Sequence, residues 1–289
     1  MIPFDANHDK RQDAALADLI CKGSPEALQI FLSVHQQFIY NLSLRMLNDF
    51  AIACSLTQQF MVKLLLNMGT AIDNEDFTVW VYRRLVNDIR KAAAAQSTVA
   101  GNFEALGETL ERQSYHPRLN KAEQIYYHRE IEAVTNRCLS TMAACLPIER
   151  RFAFLLAGVF GVPVPIVSMI LDTSESNVTA ELAFAQQDLE EFTKGHCSLF
   201  GRENACTCDK RVNYFFDQDE TVEFFNDNLN SKRKKISQLI AVKKNNQNLA
   251  GDDIVAMYRN QPFLEPHSSS DGVNQLCKRP EIIKDQYFN

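Results

Sequence analysis

The chain carries no excess of basic charge. Its 30 Lys and Arg face 36 Asp and Glu, for a formal net charge of −6. That argues against a chain coated in nucleic acid, although a local basic patch remains compatible with it. Glycine and proline are sparse, at ten and nine in 289 residues. No Gly-rich phosphate loop, paired-carboxylate motif or Ser, His, Asp order stands out, so no catalytic role is expected. Internal repeats and low-complexity tracts are absent, and the six histidines are scattered apart from His196. The opening stretch, MIPFDANHDKRQDAALADL, has no secretory or transit pattern. A cytoplasmic location is therefore expected, with the eight cysteines as reduced thiols or metal ligands.

One long uncharged run stands out. Phe152–Leu171 has twenty residues without a charge, enough on length to span a bilayer. Gly158, Gly161, Pro163 and Pro165 interrupt it, and each reads as helix punctuation, so no membrane segment is expected. Leu146-Pro147 opens a helix over Arg150–Val159, with Phe152, Leu155, Leu156 and Val159 at i, i+3, i+4, i+7 spacing. Gly161 stops it. Pro163 and Pro165 suit the first turn of a short helix, Ile166–Leu171. Asp172-Thr173-Ser174 is a turn, and Ser174 or Ser176 can cap a third helix burying Val178, Leu182, Ala185 and Leu189. This is a helix-turn-helix pattern with a supporting helix.

Upstream, the pattern predicts four more helices. Asp13–Ile20 is short and ends at Lys22-Gly23. Ser24-Pro25 caps Glu26–Leu47, which carries Leu28, Phe31, Phe38, Ile39, Leu42 and Met46 near a 3.6 period. Ala51–Asn67 follows the Asn48-Asp49 turn. After a polar loop, Phe77–Ala95 turns Trp80, Val81, Leu85 and Ile89 inward. Together these make a four-helix domain. Gln96–Glu123 reads as a flexible or weakly helical linker.

These residues resemble a known family. Leu146-Pro147, Arg151, Phe154, Gly161, Ile166, Leu171, Ser174, Val178, Leu182 and Leu189 follow the spacing of the C-terminal DNA-binding domain of extracytoplasmic-function sigma factors. Those are specificity subunits of bacterial RNA polymerase. Gly23, Ala27, Phe31, Tyr40, Arg45, Asp49, Leu56-Thr57-Gln58, Phe60, Trp80, Tyr82-Arg83 and Asn87 are similar to the family's N-terminal, promoter-melting domain. The resemblance implies an all-α chain of two small helical domains plus an extension: a region 2-like domain at 10–95, a linker at 96–123 and a region 4-like helix-turn-helix at 124–194. A cysteine-containing, helical C-terminal extension would occupy 195–289. It implies RNA polymerase core, promoter DNA and an anti-sigma or other regulatory protein as partners. Asp49, Leu56, Gln58 and Phe60 would face the polymerase. Trp80, Arg83, Arg84, Asn87, Arg90 and Lys91 would face the promoter, with Asn177, Thr179 and Gln186 reading bases from the third helix.

Composition cuts against part of this. Ser176–Leu189 contains no Lys or Arg, and Glu175, Asp188, Glu190 and Glu191 add acid. A helix without basic residues lacks the electrostatic contribution that supplies most non-specific DNA affinity. The alternative is a degenerate sigma-like protein that acts through protein contacts without reading a promoter.

His196-Cys197 and Cys206-x-Cys208 place four soft donors within thirteen residues. Three readings fit them: a tetrahedral zinc site, buried structural thiols, or a Cys206–Cys208 redox pair. A subgroup of the same sigma factors has a similar Cys-x-Leu…Asn-x-Cys-x-Cys segment followed by basic residues and a Tyr-Arg-x-x-Pro-like stretch. Cys197, Leu199, Asn204, Cys206, Cys208, Lys210-Arg211 and Tyr258–Pro262 match it. Asp219–Val242, with the basic cluster Ser231–Lys235, and Asp252–Tyr258 read as further helices, and the chain turns polar from Pro266.

Overall fold

The computed structural model describes residues 3–4, 10–71, 76–96, 102–111, 135–201, 203–208 and 251–264. Among them the regular structure is helical, with no strand; an isolated bridge pairs Cys197 with Cys206. No helix among the described residues is long and apolar enough to cross a membrane. Asp219–Val242 and Ser231–Lys235 lie outside the described residues. The chain forms two compact units, one of residues 1–98, 155–180 and 263–289, the other of 99–154 and 181–262. The segment 124–194 is divided between them.

The first unit opens with α1 (Lys10–Cys21), α2 (Pro25–Leu47), α3 (Phe50–Leu66) and α4 (Phe77–Ala95). Each of the last three starts on a side-chain cap. Ser24 accepts from Ala27 N–H at 3.2 Å, Asp49 from Ile52 N–H at 2.8 Å and Asp76 from Val79 N–H at 3.0 Å. Such a cap contributes about 1 kcal/mol. Asn48 ends α2 in the left-handed region, at φ 51°, where Asn is among the few tolerated residues. The inward stripes are buried: Leu28, Phe31, Phe38 and Leu42 on α2, Phe60 and Leu65 on α3, Val81, Leu85 and Ile89 on α4. Each contributes roughly 1.5–3 kcal/mol relative to exposure.

A polar cluster sits inside this apolar core. Thr78 Oγ1 donates to Asp13 Oδ2 at 2.7 Å, His35 Nε2 lies 3.2 Å from Asp13 Oδ1, and His35 Nδ1 bonds Tyr82 Oη at 2.9 Å. All four residues are fully buried. The cluster ties α1, α2 and α4 together, because each group keeps its place only while the others supply partners.

The Arg150–Val159 helix is not continuous. α7 spans Ile148–Ala153, and Phe154–Val159 is a π-helical turn. Phe160 N–H reaches Leu155 O at 2.8 Å, five residues back, and Gly161 leaves at φ 70°. Phe154, Leu155, Leu156, Val159 and Phe160 are all buried, more than a single stripe would allow. α8 (Val164–Leu171) follows and packs on α4 within the first unit. α9 (Glu175–His196) begins on the Ser174 cap, whose Oγ accepts from Asn177 N–H at 3.2 Å.

The second unit holds α5 (Phe103–Glu111), α6 (135–144), α7, most of α9 and α10 (Gly251–Arg259). Tyr258 Oη donates to Leu139 O at 2.7 Å and Gln261 Nε2 to Asn136 O at 3.0 Å, so the Tyr258–Pro262 stretch docks on α6. The Phe154 ring meets Tyr258 edge-on, with centroids 4.9 Å apart. Arg151 donates to the carbonyls of Ala144 and Leu146, closing the turn before α7. Its burial pushes the guanidinium pKa down to about 10. α5 falls within the expected linker. Its Phe103 packs on Phe192, and a methyl group at Gly107 would meet the His196 ring at 2.8 Å. A larger residue there would require the His196 ring to shift.

Candidate polymerase and nucleic-acid interface

α3 buries Ala53, Thr57, Phe60, Leu64 and Leu65. The opposite face, at i, i+3/i+4, i+7 and i+11, carries Ile52, Ser55, Leu56, Gln59 and Lys63. With Asp88, Lys91 and Ala92 of α4 these line an open groove of about 490 Å³. Of the four residues expected to face a polymerase, Leu56 lines this groove. Asp49 is the α3 cap, Phe60 is a core residue only 3% exposed, and Gln58 is half-buried outside the groove lining. Gln59 and Lys63 line the groove as well, on the outer period of α3.

The outer face of α4 is more fully engaged than its sequence suggests. Arg84 places its guanidinium 4.1 Å from the Trp80 ring centroid, a cation–π contact. Trp80 is half-buried and stacks at 6.2 Å on Phe77. Asn87 Oδ1 accepts from Arg90 Nη1 at 3.1 Å, and Lys91 Nζ lies 3.6 Å from Asp88. Arg83 donates through Nε and Nη2 to Met169 O at 3.0 and 2.6 Å. Trp80, Arg84, Asn87 and Lys91 also line a smaller cleft of about 240 Å³ beside Phe60 and Lys63.

On α9, Asn177 and Thr179 are exposed, and Gln186 is half-buried. Asn177 Nδ2 bonds Thr173 Oγ1 at 3.0 Å, and Thr179 Oγ1 donates back to Glu175 O at 2.9 Å. In the second unit Arg150 is bound to Glu181 at 3.0 Å and Asp188 at 2.5 Å, and lies 5.1 Å from the Phe184 ring centroid. The paired carboxylates hold that guanidinium more firmly protonated than usual. Phe184 is nevertheless 49% exposed.

The cysteine segment folds differently from its spacing. His196 lies tilted against Phe192, with ring centroids 4.7 Å apart, and turns Nδ1 to Glu111 at 3.4 Å. Ser198 N–H donates to Cys206 O at 3.0 Å, and Asn204 Nδ2 donates to Lys194 O and Cys197 O at 2.7 and 3.0 Å. Thr135 Oγ1 of α6 contacts Cys208 Sγ at 3.7 Å. Cys138, one turn along the same helix, therefore belongs with this cluster. Burial, then Cys208, Cys206 and Cys138 nearby, push the Cys197 thiol well above its ordinary range. Among the described residues no three His, Cys, Asp or Glu side chains are placed to hold a metal ion. The set His196, Cys197, Cys206 and Cys208 therefore does not fit an ion as placed.

Compared with protein-family models and with curated proteins, the chain matches none.

Proposed function

We propose that the chain is a sigma-factor-like transcription regulator, acting in the cytoplasm, that binds RNA polymerase core and directs promoter-specific initiation. The observation that carries this reading is the pairing of α3 and α4. A groove with apolar and charged walls lies on one side of the pair, and Arg83, Arg84, Asn87, Arg90 and Lys91 share the outward part of α4. The groove suits a protein partner, the α4 face suits phosphates and unstacked bases. Leu56→Ala with Gln58→Glu should weaken capture of core polymerase at least tenfold, or about 1.4 kcal/mol, while the far-ultraviolet circular dichroism stays helical. An unchanged titration of labelled protein with core would remove the groove from the interface.

The second reading is a regulator that works through protein contacts alone. It is favoured by Arg150, whose charge is neutralised by Glu181 and Asp188 beneath the exposed Phe184. An anti-sigma or similar protein would be the partner of such a face.

As placed, neither His196, Cys197, Cys206 and Cys208 nor a set in which Cys138 stands for His196 brings three donors together, so zinc binding would require rearrangement around the ion and loss of the thiol protons. We expect His196→Ala to leave zinc content unchanged and Cys206→Ser to abolish any that is bound. Metal analysis of chelator-free preparations reads both. Zinc-free wild-type protein whose thiols alkylate slowly until denatured would instead identify a buried structural cluster.

A further inference from the structure

The last carbonyls of a helix have no donors within it. At the end of α8, Asp172 adopts φ 57°, and the N–H groups of Asp172 and Thr173 both go to Ser168 O. Met169 O and Leu171 O are met from α4: by the Nε and Nη2 of Arg83, and by Nη2 of Arg90 at 3.5 Å. Two positive groups thus sit at the negative end of the α8 dipole. The Nε–Nη2 edge is also the one with which arginine grips a phosphate through two parallel bonds. While α8 lies on α4, Arg83 has that edge engaged.

A second contact, in the same unit, fastens the segment that leads into α8. Leu264 N–H donates to Asn41 Oδ1 and Asn41 Nδ2 donates to Leu264 O, both at 2.8 Å. Phe263 faces Phe160, with ring centroids 5.6 Å apart, and Phe160 packs edge-on against Phe38 at 4.9 Å. The buried Arg45 guanidinium lies 5.0 Å from the Phe160 ring and 5.4 Å from the Phe263 ring. α2, the exit of the π turn and the residues after α10 therefore share one cluster.

We propose that Phe263 and Leu264 are a latch for a self-masked state. They hold 155–171 on α2 and α4, and the terminal carbonyls of α8 withhold Arg83 and Arg90 from nucleic-acid phosphates until the latch opens. The inference rests on the reading of α4 as the DNA-facing helix. A partner that binds the open arrangement better shifts the population toward it, and the latch sets how much better it must bind.

The test uses the full chain with Phe263→Ala and, separately, Asn41→Ala, neither of which belongs to the proposed DNA-facing set. Phe263 is half-buried, so its variant keeps the test alive should Asn41→Ala fail to fold. Phenylglyoxal modification of Arg83 and Arg90, mapped by peptide mass spectrometry, should accelerate by about fivefold or more as closed molecules open. Amide exchange over 164–171 should rise while that of α3 stays unchanged. Binding to a short fluorescent duplex should tighten and become more salt-dependent. Unchanged arginine reactivity and exchange would overturn the latch and leave the α4 reading standing. Faster arginine modification with unchanged duplex binding would overturn the masking and the DNA-facing reading of α4 with it.

Discussion

Asp13→Ala is expected to cost the first unit about 3 kcal/mol, the upper range when a buried hydrogen-bonding group loses its partner. Asp13 is fully buried and is the acceptor for Thr78 Oγ1 at 2.7 Å, with His35 Nε2 at 3.2 Å. Alanine removes the acceptor without bringing water to the groups that faced it. Asp13→Asn keeps an oxygen for Thr78 and should lose clearly less. Urea denaturation of full-length protein measures both, as a shift in midpoint at constant slope. A loss below about 1 kcal/mol for the alanine variant would mean that the cluster relaxes or hydrates, since surface changes stay within that scale.

The second large effect concerns DNA. Basic residues stand on α4 and are missing from the first half of α9, so promoter contact by holoenzyme is expected to depend on α4. Arg84→Ala and Lys91→Ala should each reduce open-complex formation and lower the salt slope by up to about one, the contribution of one phosphate contact. Asn177→Ala, Thr179→Ala and Gln186→Ala should leave the salt slope unchanged, because none of them neutralises a phosphate. Potassium permanganate footprinting across a salt series reads the opening, and filter binding reads the slope. If the α9 substitutions abolished binding while the α4 substitutions did nothing, base reading from an acid-rich helix would be the working mechanism.

Arg83 and Arg90 behave differently from Arg84 in this account. Each bonds a carbonyl near the end of α8, and on the proposed masking each would also meet phosphate in the open state. Alanine at either position would therefore loosen the mask and weaken the contact at once. Arg84, seated on Trp80, carries the simpler test.

Local signals made most helix boundaries legible. Ser24, Asp49 and Asp76 are strong caps in sequence, and α4 spans Phe77–Ala95 as its pattern predicts. The Ser174 cap likewise announced α9. What was missed depends on tertiary partners. Phe154–Val159 reads as an ordinary apolar helix, and nothing local in it marks the π turn. α5 falls in the stretch read as a flexible or weakly helical linker, and what the sequence does not show is its packing, with Phe103 against Phe192 and Gly107 under His196. His196 looked like a ligand because it adjoins Cys197 in sequence. In three dimensions His196 lies against Phe192 and faces Glu111, and Cys138, fifty-nine residues before Cys197, comes near the cysteines, which spacing does not show. The engagement of Arg83 by Met169 O has no sequence signature, since the two lie 86 residues apart.

The most direct measurement is reconstitution of the full-length chain with purified RNA polymerase core, followed by run-off transcription from genomic templates. The account predicts complex formation at micromolar concentration or tighter, and transcripts that start at defined sites only when the chain is added. A chain that shows no binding to core in that range, and adds no transcript, would contradict it.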